Sequence, residues 1–269
     1  MEFSKYSGCG NDFILVDTRA HHFPSEDPEF IQRICTRCTG IGADGVILLC
    51  ESEIADFKMR IFNADGSEAE MCGNGIRCLV QFIIDLGHSE DSMSIETLER
   101  IVTGSKSPKG IAIEMGSPAN IQWNLDLNGQ SLSILNTGVP HAVLFVEHLS
   151  GVDVIKHGRE IRNDPTFAPH GTNVTFTEVL GPQHIRFCTY ERGVEGETLA
   201  CGTGAAAAAL TYSHVMGQPS PIDVQTKSGE IIKIYFNKDL EVTMVGPADL
   251  VYSGTLIFTP KSDKIYPKR

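Results

Sequence analysis

Short runs of β-branched and aromatic residues recur along the chain, so strands dominate its reading. Phe13 to Thr18, Val46 to Glu51 and Phe57 to Phe62 are three such runs. Ile121, Trp123, Leu125 and Leu127 alternate with polar residues, and a second alternating run ends at Leu135. The Asn128-Gly129 pair between them predicts a tight hairpin. Glu230 to Phe236 and Leu240 to Val245, joined by Asn237-Lys238-Asp239, predict another. Three stretches carry helical patterns instead. Pro28 to Cys38 has Asp27 as its N-cap and proline at its first position, and sets Ile31, Ile34, Cys35 and Cys38 on one face. Ile76 to Leu86 is apolar on most sides, interrupted by Arg77, Gln81 and Asp85, and Ala205 to Met216 opens on a run of alanines. Helices apolar nearly all round are buried ones, and alanine lets a surrounding sheet come close.

The pattern repeats. Met71-Cys72-Gly73-Asn74-Gly75 and Ala200-Cys201-Gly202-Thr203-Gly204 each open one of the two apolar helices, 129 residues apart. Phe62-Asn63-Ala64-Asp65-Gly66 precedes the first cysteine much as Tyr190-Glu191-Arg192-Gly193 precedes the second. Met115-Gly116-Ser117-Pro118-Ala119 answers Val245-Gly246-Pro247-Ala248, and Ser7-Gly8-Cys9-Gly10-Asn11 answers Thr137-Gly138-Val139-Pro140-His141. Four matches in register predict a duplication. The expected fold is therefore α/β (α+β) with two pseudo-symmetric domains, each a bent, mostly antiparallel β-sheet or barrel around a central α-helix. The expected boundaries are 1–116, completed by a C-terminal strand within about 248–269 (Val251 to Phe258), and 117–247. Both helix N-termini would point into the cleft between the halves.

Composition narrows the function by exclusion. The chain has 269 residues and a net charge of −12, which argues against nucleic acid or an anionic membrane surface as partner. The N-terminus lacks the charged-then-apolar pattern of a signal peptide, and no apolar run reaches the ~20 residues of a membrane span. A cytoplasmic protein is expected. Its eight cysteines then read as reduced thiols rather than a disulfide framework. Cys35-Thr36-Arg37-Cys38 is a lone C-x-x-C without a second pair, so core packing is the expected role for it, as for Cys9, Cys50, Cys78 and Cys188. No metal site is expected. Gly40-Ile41-Gly42-Ala43-Asp44-Gly45 matches G-x-G-x-x-G, but it follows a helix and enters a strand, the reverse of a dinucleotide fingerprint.

The duplicated cysteines carry the chemistry. A thiol at a helix N-terminus is biased toward thiolate by unpaired N–H groups and the helix dipole. Two such thiols on opposite sides of one substrate suit the inversion of a carbon stereocentre, one taking a proton and the other giving one. Backbone N–H groups of Gly73-Asn74 and Gly202-Thr203 would cradle the α-carboxylate as it gains negative charge, with no cofactor as electron sink. The chain shows no phosphate cradle with a lysine of the kind pyridoxal phosphate needs. His141 and Glu191, at duplicated positions, would tune the thiol pair, which would titrate as a coupled unit.

Asn11-Asp12-Phe13, Phe62-Asn63-Ala64-Asp65-Gly66-Ser67, the Cys72 motif and Glu191-Arg192-Gly193 followed by the Cys201 motif resemble diaminopimelate epimerase, across essentially the whole chain. The resemblance implies cofactor-independent interconversion of LL- and meso-diaminopimelate in lysine and peptidoglycan synthesis. It makes Cys72 and Cys201 the acid/base pair, and Gly73, Asn74, Gly202 and Thr203 the holders of the reacting carboxylate. Asn11, Asn63, Asn173, Glu191 and Arg192 would hold the substrate's other polar groups, in a cytoplasmic homodimer acting on a small molecule. Val139 stands where many members carry asparagine, and Gly45 where some carry glutamine, so looser recognition of the distal end is expected. A proline or hydroxyproline racemase is the rival enzyme, though its first motif usually has histidine where this chain has Asn74. A thiol or metal-binding protein using Cys35, Cys38, Cys72 and Cys201 is the rival from another class.

Overall fold

A computed structural model of the chain describes residues 1–69, 72–257 and 266–267. Met71 and Phe258, both named above, lie outside the described residues. The chain divides into two compact units, Met1–Ile113 with Pro247–Arg269, and Glu114–Gly246.

In the first unit the strands Glu2–Gly8 and Asn11–Asp17 pair antiparallel through a two-residue corner. Cys9 and Gly10 both have positive φ there, 58° and 82°, as the primed turns that match strand twist require. Helix α1 (Pro28–Cys35) then carries the chain to Gly45–Cys50, parallel to Asn11–Asp17. Phe57–Asn63 returns antiparallel. Helix α2 (Gly73–Asp85) leads to Met93–Glu96, parallel to Phe57–Asn63, and Ile101–Ser107 pairs antiparallel with that. The strand Asp249–Ile257 pairs with Glu2–Gly8, with a register shift between Lys5 and Tyr6.

The second unit repeats the same order of connections. Gln130–Asn136 and Pro140–Phe145 are antiparallel, and helix α3 (Val154–Arg162) leads to the parallel strand Asn173–Gly181. His184–Glu191 returns antiparallel, and helix α4 (Gly202–Met216) leads to the parallel strand Ile222–Gln225. Ile231–Phe236 and Val242–Gly246 continue antiparallel. The Asn-Gly hairpin forms as expected: Leu127 pairs with Gln130, and both turn residues have positive φ.

Helices α2 and α4 are the cores of their units. In α2 only Gln81, Ile84 and Asp85 escape full burial, and in α4 every residue from Gly202 to Tyr212 is buried. No helix of the described residues is long and apolar enough to cross a membrane, a statement that does not bear on strands.

Two local expectations are corrected. Helix α1 ends at Cys35, not Cys38, because the chain turns at Thr36 into an extended conformation. Cys38 has φ 70° and is exposed, so Phe30, Ile31, Ile34 and Cys35 make the buried face. Helix α3 was not foreseen. Its inward stripe is Val154, Gly158 and Ile161, and the glycine at its centre hides the helical period. A Cβ there would stand 2.4 Å from Tyr190 Cβ, so the glycine is set by the close approach of helix to strand.

Candidate active site

Cys72 is the N-cap of α2. Its backbone is extended, at φ −138° and ψ 116°, and its Sγ accepts from the N–H of Gly75 at 3.4 Å. Sulfur thus takes the place that a serine or aspartate oxygen usually holds on the first turn. The same Sγ donates to Asn11 Oδ1 at 3.6 Å, and Asn74 Nδ2 donates to that oxygen at 3.2 Å. Behind the turn lies Arg77, fully buried. Its guanidinium donates to the carbonyls of Gly73 and Pro247, each at 3.2 Å, and to Asn74 Oδ1 at 3.0 Å. A buried charge is tolerable only when its donors are used in this way.

Cys201 repeats the arrangement in the second unit. It N-caps α4 at φ −129° and ψ 108°, and its Sγ accepts from Gly204 N–H, again at 3.4 Å. Thr203 Oγ1 is 3.4 Å from Cys201 Sγ and 2.9 Å from His141 Nε2. The other ring nitrogen of His141 meets Thr175 Oγ1 at 3.0 Å, and Thr175 meets Thr189 Oγ1 at 3.2 Å. Strand register explains the grouping, since His141 lies opposite Asn173, and Thr175 opposite Thr189, on neighbouring strands. Asn173 uses both ends of its amide on backbone: Oδ1 accepts from Arg192 N–H at 2.8 Å and Nδ2 donates to Pro140 O at 3.1 Å. It thereby ties the Glu191-Arg192 corner to the strand that carries His141.

Burial governs the electrostatics of this second half. It pushes the Cys201 thiol well above its ordinary range, and the neighbouring Glu191 carboxylate adds to the effect. The hydrogen bonds from Thr203 and Gly204 work in the opposite sense and are outweighed. The bias toward thiolate expected at a helix end is therefore reversed at Cys201. Glu191 is itself pushed upward by burial, against hydrogen bonds with Thr198 (2.5 Å) and Cys201. His141 is lowered to about 3, first by burial and then by the Arg192 charge, so it is a neutral imidazole at pH 7.

Of the residues singled out by sequence, Cys72, Asn11, Asn74 and Gly73 come together in one unit, and Cys201, Gly202, Thr203, His141 and Glu191 in the other. Asn63 stands at the exposed end of its strand and donates to Ser67 Oγ at 3.0 Å. Gly45 faces it across the ladder, and a Cβ at Gly45 would come within 2.4 Å of Phe62 O. Val139 is half-buried and offers no side-chain hydrogen-bonding group. Cys35 packs in the core around α1 while Cys38 is exposed. Sequence reasoning missed Arg77 and Asp44, which act on the half-site through other side chains. An arginine within an otherwise apolar helix was the available signal for the first.

Comparisons with known proteins follow the same line. The sequence pattern of the diaminopimelate epimerase family matches residues 3–121 and again 133–251. The diaminopimelate epimerase of Chlorobaculum tepidum is 42% identical, over 93% of this chain and 99% of that one. That of Aquifex aeolicus is 40% identical, over 95% of this chain and 98% of its own length. Among solved structures, a phenazine biosynthesis protein of Bacillus anthracis superposes with a TM-score of 0.71 at 16% identity, covering 94% of this chain and 97% of that one. That likeness concerns the fold.

Proposed function

The chain belongs to the diaminopimelate epimerase family and is an isomerase, and we propose that it interconverts LL- and meso-2,6-diaminopimelate by a two-thiol mechanism without a cofactor. The observation that carries this reading is the twin N-cap: in each unit a cysteine Sγ accepts from the N–H three residues on, at 3.4 Å, at the start of a buried helix. Two copies of one thiol-bearing turn match a reaction that needs the same chemistry on both faces of one carbon.

In the proposed step one cysteine, as thiolate, takes the α-proton. Its S–H bond forms as the C–H bond breaks, and the electron pair moves into the carboxylate as an enediolate. The other cysteine, as thiol, gives its proton to the opposite face, leaving the pair with thiol and thiolate exchanged. The reverse reaction uses the exchanged pair. Backbone N–H groups of Gly73-Asn74 and Gly202-Thr203 hold the carboxylate, where two helix N-termini favour developing negative charge. Glu191 and burial favour the protonated form of Cys201, and His141 aligns Thr203 beside it as a neutral partner. Asn11, Asn63, Asn173, Glu191 and Arg192 are assigned to the substrate's remaining polar groups.

Incubating reduced enzyme with LL-diaminopimelate in D2O tests the reading. Deuterium at the α-carbon together with formation of the meso isomer is expected. Absence of both exchange and epimerisation would overturn it.

A further inference from the structure

A buried guanidinium and a carboxylate stand at the two ends of a chain of side-chain hydrogen bonds beside Cys72. Arg77 Nη2 donates to Asn74 Oδ1 at 3.0 Å, Asn74 Nδ2 to Asn11 Oδ1 at 3.2 Å, and Asn11 Nδ2 to Asp44 Oδ2 at 2.8 Å. An amide has one accepting and one donating end, and its neighbours decide which way it points. A guanidinium can only donate and an ionised carboxylate can only accept. With Arg77 at one end and Asp44 at the other, only one orientation of both amides pairs every donor with an acceptor. In that orientation Asn11 turns its oxygen, not its NH2, toward the sulfur of Cys72. Asp44 is itself held in place: its Oδ1 takes an ion pair from Arg37 at 2.8 Å, and its Oδ2 accepts from Asp12 N–H at 3.2 Å.

We propose that Asp44 is a positioning residue for Cys72: by fixing the Asn11 amide with its oxygen toward the sulfur, it holds Cys72 as a thiol in the substrate-free protein. An acceptor facing sulfur favours S–H, whereas an amide NH2 in its place would donate to S⁻ and favour the thiolate. The other charged and titratable groups facing this cluster are Cys78 on α2, Cys9 and Asp12 at the first strand corner, Lys5, Arg37 and Asp249. None of these meets the Asn11 NH2 in the way Asp44 does. The inference takes from the proposed function only that Cys72 is an acid/base group.

The test is the pH dependence of iodoacetamide alkylation at Cys72 in the full chain, followed on its tryptic peptide by mass spectrometry. Asp44→Asn removes the acceptor-only partner and leaves the Asn74 NH2 still orienting the Asn11 amide, so the alkylation midpoint should fall, by up to about one pH unit, the tenfold that one hydrogen bond to a charged group is typically worth. Asp44→Glu keeps an acceptor-only partner and should stay at the wild-type midpoint. Asp12→Asn removes the same charge from the same network without touching the Asn11 amide, and should shift the midpoint by much less. A wild-type midpoint in Asp44→Asn, or equal shifts in Asp44→Asn and Asp12→Asn, would overturn the inference. Alkylation reads the thiol whether or not any substrate is epimerised, so such a failure leaves the proposed reaction standing.

Discussion

His141 Nε2 lies 2.9 Å from Thr203 Oγ1, with the imidazole wholly buried. The histidine is linked to Cys201 through the Thr203 hydroxyl and carries no charge at pH 7. This has a consequence for stability. The unfolded chain binds a proton at His141 near the ordinary value of 6.5, whereas the folded chain binds it only near 3. Stability linked to this group is complete above about pH 6.5 and is lost as the pH falls toward 3. By pH 5 the loss is about 2 kcal/mol. Urea unfolding at pH 7 and pH 5 should show wild-type protein weakening by that order, and His141→Gln should remove most of the difference. Glu191, with its carboxyl pushed upward, works in the opposite sense, so an equal pH dependence in the two proteins would refute the assignment.

Cys201 and Glu191 share a hydrogen bond in a buried setting, and the carboxylate contributes to holding the thiol protonated. Glu191→Gln removes that charge while keeping the shape. The pH midpoint for alkylation of Cys201, read in a Cys72→Ser background, should fall by about one unit, the differential effect of a neighbouring charge in a poorly solvated site. An unchanged midpoint would mean that burial alone raises the thiol.

Removing either thiol should be costly for turnover. A positioned acid or base group typically contributes about 10²–10⁴-fold, so Cys72→Ala and Cys201→Ala should each lower kcat by that order in the coupled formation of meso-diaminopimelate. A variant that keeps near wild-type turnover would remove its cysteine from the chemistry.

Much of the arrangement was legible in the sequence, for identifiable reasons. The two buried helices announced themselves because a Cys-Gly-polar-Gly turn precedes an apolar run in both places. The Asn128-Gly129 hairpin was legible because its turn chemistry is local. Helix α3 was not, since the residue facing Tyr190 is a glycine, and a glycine contributes nothing to an apolar period. The end of α1 was hidden because Cys38 fits the helical spacing yet adopts a left-handed backbone. Within the site, residues on the cysteine turns were readable and their supports were not. Asp44 is linked to Cys72 by way of Asn11, which lies 33 positions before Asp44 in the chain, and no spacing rule links them.

The contact between α3 and the strand before Glu191 is itself testable. Gly158→Ala would ordinarily favour a helix by about 1 kcal/mol. Here the added Cβ meets Tyr190 Cβ at 2.4 Å, with Tyr190 fully buried. Overpacking of a close contact costs about 1–3 kcal/mol, so the net effect should be destabilising in urea unfolding. Because Tyr190 adjoins Glu191, kcat should fall as well. A stabilised Gly158→Ala protein would show that the helix can retreat from the strand without strain.

Val139 sits between Gly138 and Pro140, on the chain that leads into His141, and presents only an aliphatic side chain. An amide there would supply a donor and an acceptor for a polar distal group. A substrate group left without such a partner is recognised more weakly, by about 0.5–1.5 kcal/mol, which is roughly a two- to twelvefold change in discrimination. The wild-type protein should therefore show measurable α-proton exchange with α-amino acids smaller than diaminopimelate. Val139→Asn should raise kcat/KM for diaminopimelate relative to those smaller substrates by a factor in that range, chiefly through KM, because a distal contact is made equally in ground and transition states. Deuterium exchange measured side by side for both substrates gives the ratio directly. No detectable exchange with any smaller amino acid in the wild type would mean that the other distal contacts already enforce the selection, and that Val139 relaxes nothing.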